Sequence, residues 1–316
     1  DQRLAARYNI KVDKLRPWHY QDPFVQDPPA VFQTGLDDIY GKQDTLNLCR
    51  KFYDSMGLNA DDVLERSDLY EKNGKTPHAF ETTIDRGQDV RVVANIVPGQ
   101  KWLTTMVHEL GHAVYDKYHD PELPWLLREA GHPMATEGLA MMFDRLVRNP
   151  SWTKEMGLID ESTRVKMSRE TDLERAFAPL LFSRWAQVVL RFEKRLYSEP
   201  DSDLNRYWWK LVEEYQAVKM PENRDHPDYA SKIHLVLVPV YYHNYMLGDL
   251  FSSQLHEKIA SYIGSSPSQA VYVEHKTVGK YLRENVFKYG SQYPWYELVR
   301  VSTGEKLSPN AFARRF

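Results

Sequence analysis

The chain has 316 residues, 42% of them hydrophobic and 27% charged, which is enough for one large or two modest domains with a substantial core. The net charge is −3 and basic residues are scattered, so composition gives no support for binding to nucleic acid or an anionic membrane. The single cysteine, Cys49, excludes an internal disulfide framework and a cysteine-rich metal site. No apolar run reaches the roughly 18 residues that span a bilayer.

Four prolines in the first 40 residues predict an extended, wrapping segment there. Helical spacing of apolar residues predicts short helices over 45–56 and 61–67. Segments 78–84 and 90–97 flank a polar turn and predict a β-hairpin. Nearly everything afterwards is predicted to be helical, over residues 101–118, 133–147, 161–197 (with a break at Pro179), 204–218, 233–263, 282–289, 295–302 and 309–315. The predicted fold class is therefore mainly α, with a small antiparallel β element.

The segment from His108 to His112 has the pattern His-Glu-Leu-Gly-His, which indicates a metal site. Histidines four residues apart lie on one face of a helix, so both imidazoles can reach one zinc ion. The carboxylate of Glu109, one residue further on, can reach a water that the zinc acidifies. Gly111 costs a helix about 1 kcal/mol, which predicts a close approach by another backbone or side chain.

A catalytic zinc ion needs a third protein ligand and an open fourth position. Glu137 lies near the start of the next predicted helix and is followed by small residues, which suits close packing of two helices around a metal. Glu122 and Glu129 are the competing candidates, but both fall in the connection between the helices. We therefore predict that His108, His112 and Glu137 hold Zn²⁺, with Glu109 as general base, in a zincin-type multi-helix fold whose hairpin lies beside the active-site helix.

With these residues in place, the chain resembles the angiotensin-converting enzyme family of peptidyl-dipeptidases, within the gluzincin group that also contains the oligoendopeptidases. The resemblance extends from about residue 70 to the C-terminus and covers what is usually the catalytic, C-terminal part of longer proteins. Besides the zinc motif it rests on Ala176–Pro179 leading to Arg184-Trp185, on Tyr207–Trp209 with Tyr215-Gln216, on the stretch from His234 to Glu257, and on Pro294-Trp295 through Thr303-Gly304 to Phe312.

The resemblance implies the same three zinc ligands and the same base. It also implies substrate contact by His78, which precedes the first zinc ligand by 30 residues. An exposed strand edge at His78-Ala79 would pair with a peptide by β-augmentation. Lys232 and His234 match the family's Lys-x-His, whose lysine binds the substrate's C-terminal carboxylate and whose histidine binds a backbone carbonyl.

Two tyrosines of this chain match the family's functional pair. Tyr242 would anchor the carboxylate and Tyr245 would donate to the oxyanion of the tetrahedral intermediate. The stretch before Tyr245 is one residue longer than the family pattern, so Tyr241 competes with Tyr242 for the first role. A glutamine completes the family's carboxylate site, and Gln21 is our candidate for it.

Two further departures concern residues around the site. The family's Asp that orients a zinc histidine is replaced by Met141, so Asp144 or Asp116 is expected to substitute. Asn244 stands where animal members carry an arginine that binds chloride, which argues against chloride activation.

The predicted function is hydrolysis of short peptides by a zinc metallopeptidase that releases C-terminal dipeptides. An oligoendopeptidase and an inactive zinc-binding fragment are the alternatives. Residues 1–70 are predicted as an N-terminal wrapping segment with helices and residues 71–316 as the catalytic domain. The chain has neither an initiator methionine nor a signal peptide, so we expect a processed chain or part of a longer one. The resemblance favours a periplasmic or secreted location over a cytoplasmic one.

Overall fold

The structure is a computed structural model that describes all residues, 1–316. It contains fourteen α-helices and one two-stranded sheet. The helices are α1 Gln2–Tyr8, α2 Leu36–Tyr40, α3 Thr45–Ser55, α4 Asp61–Arg66, α5 Gln100–Lys117, α6 Pro133–Asp144, α7 Pro150–Glu155, α8 Glu161–Ser198, α9 Leu204–Gln216, α10 Ile233–Leu237, α11 His243–Tyr262, α12 Lys276–Asn285, α13 Trp295–Thr303 and α14 Asn310–Ala313. The strands are β1 Phe80–Thr83 and β2 Val90–Val93. None of the helices combines the length and the apolar composition that crossing a bilayer requires.

The chain forms two compact units, each built from two stretches of sequence. Unit 1 comprises Asp1–Gln33 and Glu170–Met246, and unit 2 comprises Thr34–Arg169 and Leu247–Phe316. The core of unit 1 is aromatic, with Trp185, Phe192 and Trp208 among its buried rings. The core of unit 2 surrounds α5 and α6, whose apolar faces are buried. The prediction of a mainly α fold with a small antiparallel β element is confirmed.

The predicted hairpin is present beside α5. Strand β1 pairs antiparallel with β2, with Phe80 opposite Val93 and Thr83 opposite Val90. Just beyond the strands, the Ile84 N–H donates to the backbone carbonyl oxygen of Asp89 at 2.9 Å. Because bonded and non-bonded residues alternate along an antiparallel ladder, the N–H and C=O groups of Glu81 and Ala79 point away from β2.

Several predicted elements differ from the structure, and the helix predicted over 282–289, for example, spans Lys276–Asn285 instead. Helix α8 is continuous through Pro179, because the packing of its apolar face outweighs the roughly 3 kcal/mol cost of a proline inside a helix. The helix predicted over 233–263 is two helices, α10 and α11, because Pro239 has no N–H to donate and disfavours helical backbone at Val238. The first 40 residues are not wholly extended, since they contain α1, α2 and two 3-10 turns.

Candidate functional site

Helix α5 carries both motif histidines on one face. Its apolar residues Leu103, Val107 and Leu110 are buried in the core of unit 2, which fixes the rotation of the helix about its axis. His108 and His112, four residues apart, therefore project in the same direction, and their ring centroids are 4.8 Å apart.

Helix α6 lies unusually close to α5, and glycines allow this approach. A Cβ atom at Gly111 would lie 2.7 Å from the Cα of Ala140, so no larger residue fits without displacing a backbone. On the other side of α6, a Cβ at Gly138 would lie 2.9 Å from the carbonyl oxygen of Gly248 in α11. The close approach predicted from Gly111 is thus confirmed, and it brings Glu137 of α6 to the histidines of α5.

Three ligand atoms converge between these helices. The Nε2 atoms of His108 and His112 are 3.2 Å apart, and the Oε2 atom of Glu137 lies 3.5 and 3.7 Å from them. Metal–ligand bonds of about 2.0–2.1 Å in a tetrahedron place the ligand atoms about 3.3–3.4 Å apart. The side chains therefore fit a tetrahedral ion of this size, and the three residues form the one group in the structure suited to hold a metal.

The other imidazole nitrogens are already engaged. The Nδ1–H of His108 donates to Oδ2 of Asp144 at 2.7 Å, and the Nδ1–H of His112 donates to Oγ1 of Thr136 at 2.5 Å. With Nδ1 engaged, the Nε2 atom of each ring is the nitrogen that would bind a metal. Burial lowers the pKa of His112 to about 4, which keeps this ring neutral. Of the two aspartates expected to orient a zinc histidine, Asp144 contacts His108, while Asp116 lies 3.7 Å from His119 instead.

Glu109 is only 9% exposed and lies beside the histidine pair. Burial is the largest cause that raises its pKa, to about 7, and the charge on Glu137 adds to the effect. The charge on His108 and a hydrogen bond with the backbone of Glu81 act in the opposite direction. The last contact agrees with the register of β1, whose Glu81 N–H points away from β2. A carboxylate with a pKa near neutrality is suited to take and return a proton.

The other two candidates for the third metal ligand lie away from the histidine pair. Glu122 is exposed, and Glu129 forms an ion pair with Arg86 at 3.0 Å. Only Glu137, which is 4% exposed, faces the two histidines.

His78 and Ala79 lie outside the strand that was predicted to begin at residue 78. Strand β1 begins at Phe80, and His78 is an exposed bend residue whose backbone N–H donates to Thr76 Oγ1 at 3.3 Å. The shift occurs because only residues opposite β2 pair, and the partner strand ends at Val93. Of the two residues, Ala79 continues the edge of β1 whose backbone groups point away from β2, and His78 lies next to it.

A second group of functional candidates lies within unit 1, around the buried ammonium of Lys232. This side chain is 7% exposed, and its Nζ atom lies 5.3–5.6 Å from the ring centroids of Phe24, Trp185 and Tyr242. Burial lowers the pKa of Lys232, and the charges of Asp22 and Asp27 oppose the shift. A cation held over aromatic faces and largely removed from water is a strong attractor for an anion.

Gln26 completes this group, and sequence reasoning missed it. Its Oε1 atom accepts from Lys232 Nζ at 2.8 Å and from the Tyr242 hydroxyl at 3.1 Å. The candidate chosen from the sequence, Gln21, is wrong for this place, because its Oε1 accepts the Ala30 N–H at 3.0 Å. No local signal identified Gln26, which is 206 residues from Lys232 along the chain.

His234 and Tyr245 also meet within unit 1. The Tyr245 hydroxyl lies 3.3 Å from His234 Nε2. Tyr242, rather than Tyr241, contacts the Lys232 group, since the Trp185 Nε1–H donates to the Tyr242 hydroxyl at 2.6 Å. The ring of Tyr241 packs on Tyr245, with centroids 5.5 Å apart.

Comparison with known proteins identifies the family to which the chain is similar. The family profile described as angiotensin-converting enzyme matches residues 21–316, a match that begins well before residue 70. An angiotensin-converting enzyme of Haematobia irritans exigua is 26% identical over 310 residues, which cover 92% of this chain and 48% of that protein. The angiotensin-converting enzyme-like protein Ace3 of Mus musculus is 26% identical over 68% of this chain and 30% of its own length. Carboxypeptidase 1 of Bacillus subtilis is 23% identical over 74% of this chain and 50% of its own length. The chain thus spans about half the length of these relatives, or less.

Proposed function

Because the chain belongs to the angiotensin-converting enzyme family of peptidases, we propose that it hydrolyses peptide bonds of short peptides with the help of a zinc ion and releases dipeptides from their C-termini. The observation that carries the proposal is the convergence of His108, His112 and Glu137 within 4.8 Å, next to a buried carboxylate. Relatives of this chain include two proteins named as angiotensin-converting enzyme or like it, and one named as a carboxypeptidase.

His108, His112 and Glu137 would hold the metal. Bound there, zinc would polarise the scissile carbonyl and lower the pKa of a water molecule to roughly 7. Asp144 and Thr136 keep the two imidazoles in the tautomer and orientation that this binding requires.

Glu109 would act as the general base. Its carboxylate takes a proton from the attacking water and passes that proton to the leaving amine. Tyr245 would donate its hydroxyl proton in a hydrogen bond to the oxyanion that develops on the scissile carbonyl, with His234 beside it as a second donor.

Substrate recognition would use hydrogen bonds to the backbone of the peptide and a positive charge near its C-terminus. An extended peptide would pair with the outward-facing backbone groups of Ala79 at the outer edge of β1, with His78 beside it. Lys232, Tyr242 and Gln26 would bind a free C-terminal carboxylate through an ammonium, a hydroxyl and an amide. Gln26 therefore extends the proposed functional residues beyond the predicted catalytic domain of residues 71–316.

The decisive test is hydrolysis of an N-terminally blocked tripeptide with a free C-terminus by the zinc-loaded protein and its Glu109→Gln variant. We expect kcat to fall by about 10²–10⁴ while the zinc content is unchanged, because the amide cannot accept the proton. Glu122→Gln, which alters an exposed carboxylate, is the matched control and should retain full activity.

Other results would change the assignment in distinct ways. Equal turnover by wild type and Glu109→Gln would refute the mechanism. Equal cleavage of the amidated tripeptide would replace dipeptide release by endopeptidase activity. A wild-type protein that binds zinc stoichiometrically but cleaves neither peptide would be an inactive zinc-binding protein.

A further inference from the structure

The connection between α10 and α11 contains a strained residue close to the proposed substrate-binding tyrosines. Val240 has a φ of +57°, in the left-handed region. This conformation is costly for a β-branched side chain, whose Cβ crowds the following carbonyl group. Such strain persists only when surrounding contacts hold the backbone in place.

The side chain of Val240 does not provide that hold, because the residue is 60% exposed. The backbone does: the N–H of Val240 donates to Oε1 of Glu193 in α8. Glu193 is itself only 6% exposed, and it also accepts from the Tyr197 hydroxyl at 3.3 Å. A buried carboxylate without an ion-pair partner here is therefore engaged with the backbone of a strained connection.

The strained residue leads directly into the functional tyrosines. Turn hydrogen bonds link the two ends of this stretch, from Asn244 N–H to Tyr241 C=O at 3.0 Å and from Tyr245 N–H to Tyr242 C=O at 3.3 Å. Helix α8 holds the stretch at a second point, where the Trp185 Nε1–H donates to the Tyr242 hydroxyl. A change of backbone conformation at residue 240 would therefore displace both hydroxyls.

We propose that Glu193 is a positioning residue, whose carboxylate holds the left-handed backbone of Val240 and thereby sets where Tyr242 and Tyr245 present their hydroxyls to a peptide. The inference rests on the proposed function in one respect: the two tyrosines are taken to bind the C-terminal carboxylate and the oxyanion. Glu193 itself touches no reacting atom.

The test combines removal of the acceptor with relief of the strain. For Glu193→Ala we expect kcat/KM on the free-acid tripeptide to fall by about tenfold to a hundredfold, because both hydroxyls shift. We expect effects on KM, through Tyr242, as well as on kcat, through Tyr245. Glu193→Gln keeps a carbonyl acceptor and should remain within about threefold of wild type.

The double variant Glu193→Ala with Val240→Gly is the critical one. Glycine adopts positive φ without a steric penalty, so the chain no longer needs the carboxylate to hold that conformation. We expect the double variant to recover most of the activity that Glu193→Ala loses. Glu199→Ala, which removes an exposed carboxylate just beyond the end of α8 that is paired with Arg195, is the matched control and should have no effect.

A second readout does not depend on catalysis. Hydrogen exchange measured by mass spectrometry should show faster exchange over residues 236–245 in Glu193→Ala than in wild type, and unchanged exchange in Glu199→Ala. If Glu193→Ala does not fold, Glu193→Met, of similar volume but without an acceptor, replaces it in both experiments.

Two results would overturn the inference: exchange that does not respond to loss of the carboxylate, or a double variant as impaired as Glu193→Ala. A wild-type protein without peptidase activity would instead remove the proposed function, and the exchange experiment would still decide whether Glu193 holds the connection.

Discussion

The group around His108 and the group around Lys232 are built in different ways. The first uses regular backbone: its three candidate ligands come from two helices that follow each other in sequence and pack through Gly111. The second uses irregular backbone and distant residues, since Gln26 lies 216 residues from Tyr242, and the connection before Tyr242 contains a strained valine. A site made by adjacent helices needs only correct helix packing, whereas a site of the second kind needs several separate contacts to hold each side chain.

The electrostatics differ as well. In the first group the Nδ1 atom of each imidazole has a hydrogen-bond partner, Asp144 for His108 and Thr136 for His112. The pKa of the buried Glu109 carboxylate is raised mainly by burial. In the second group the ammonium of Lys232 has aromatic faces and one amide oxygen as its neighbours. The first arrangement offers lone pairs to a cation, and the second offers a positive charge to an anion.

The largest effect expected from a substitution in unit 1 concerns Tyr245, which lies beside His234. Tyr245→Phe removes the donor to the developing oxyanion, and we expect kcat to fall by about 10²–10³ with little change in KM. Steady-state kinetics on the free-acid tripeptide measures this, and Tyr241→Phe, whose ring packs on Tyr245, is the control. A loss in Tyr241→Phe as large as that in Tyr245→Phe would contradict the assignment of the oxyanion donor to Tyr245.

An intermediate effect is expected for the residue that orients His108. Asp144→Asn replaces the acceptor of the Nδ1–H, and we expect zinc affinity to fall by about 10–100-fold. Competition with a chromophoric chelator measures the affinity directly, without reference to activity. Asp116→Asn removes a carboxylate that lies near His119 instead, so an equal loss in this variant would show that His108 is not the cause.

The smallest of these effects is expected at Lys232. Lys232→Met keeps a side chain of similar length in the aromatic surroundings but removes the charge. We expect kcat/KM for the free-acid peptide to fall by about tenfold and that for the amidated peptide to remain unchanged. Lys219→Met, at an exposed position of the same unit, is the control. Equal losses for acid and amide would separate Lys232 from carboxylate binding.

Much of the fold and of the first group could be predicted from local patterns. The helical periodicity located α3, α5 and α6 to within a few residues, and the turn between two apolar segments located the hairpin. The family resemblance added His234, Tyr242 and Tyr245 as candidates. Local patterns failed where a distant interaction outweighed them: Pro179 lies inside a continuous helix, while Pro239 interrupts one that periodicity alone predicted.

By itself, the sequence determined the pairing of His108 with His112 and the position of Glu109, because a helix places residues four apart on one face whatever surrounds it. Only the tertiary structure decided that Asp144 rather than Asp116 contacts His108, that Gln26 rather than Gln21 joins Lys232, and that Glu193 holds Val240. The physical reason is that these contacts depend on how separate segments pack, and packing is a property of the whole core of each unit rather than of any short stretch of chain.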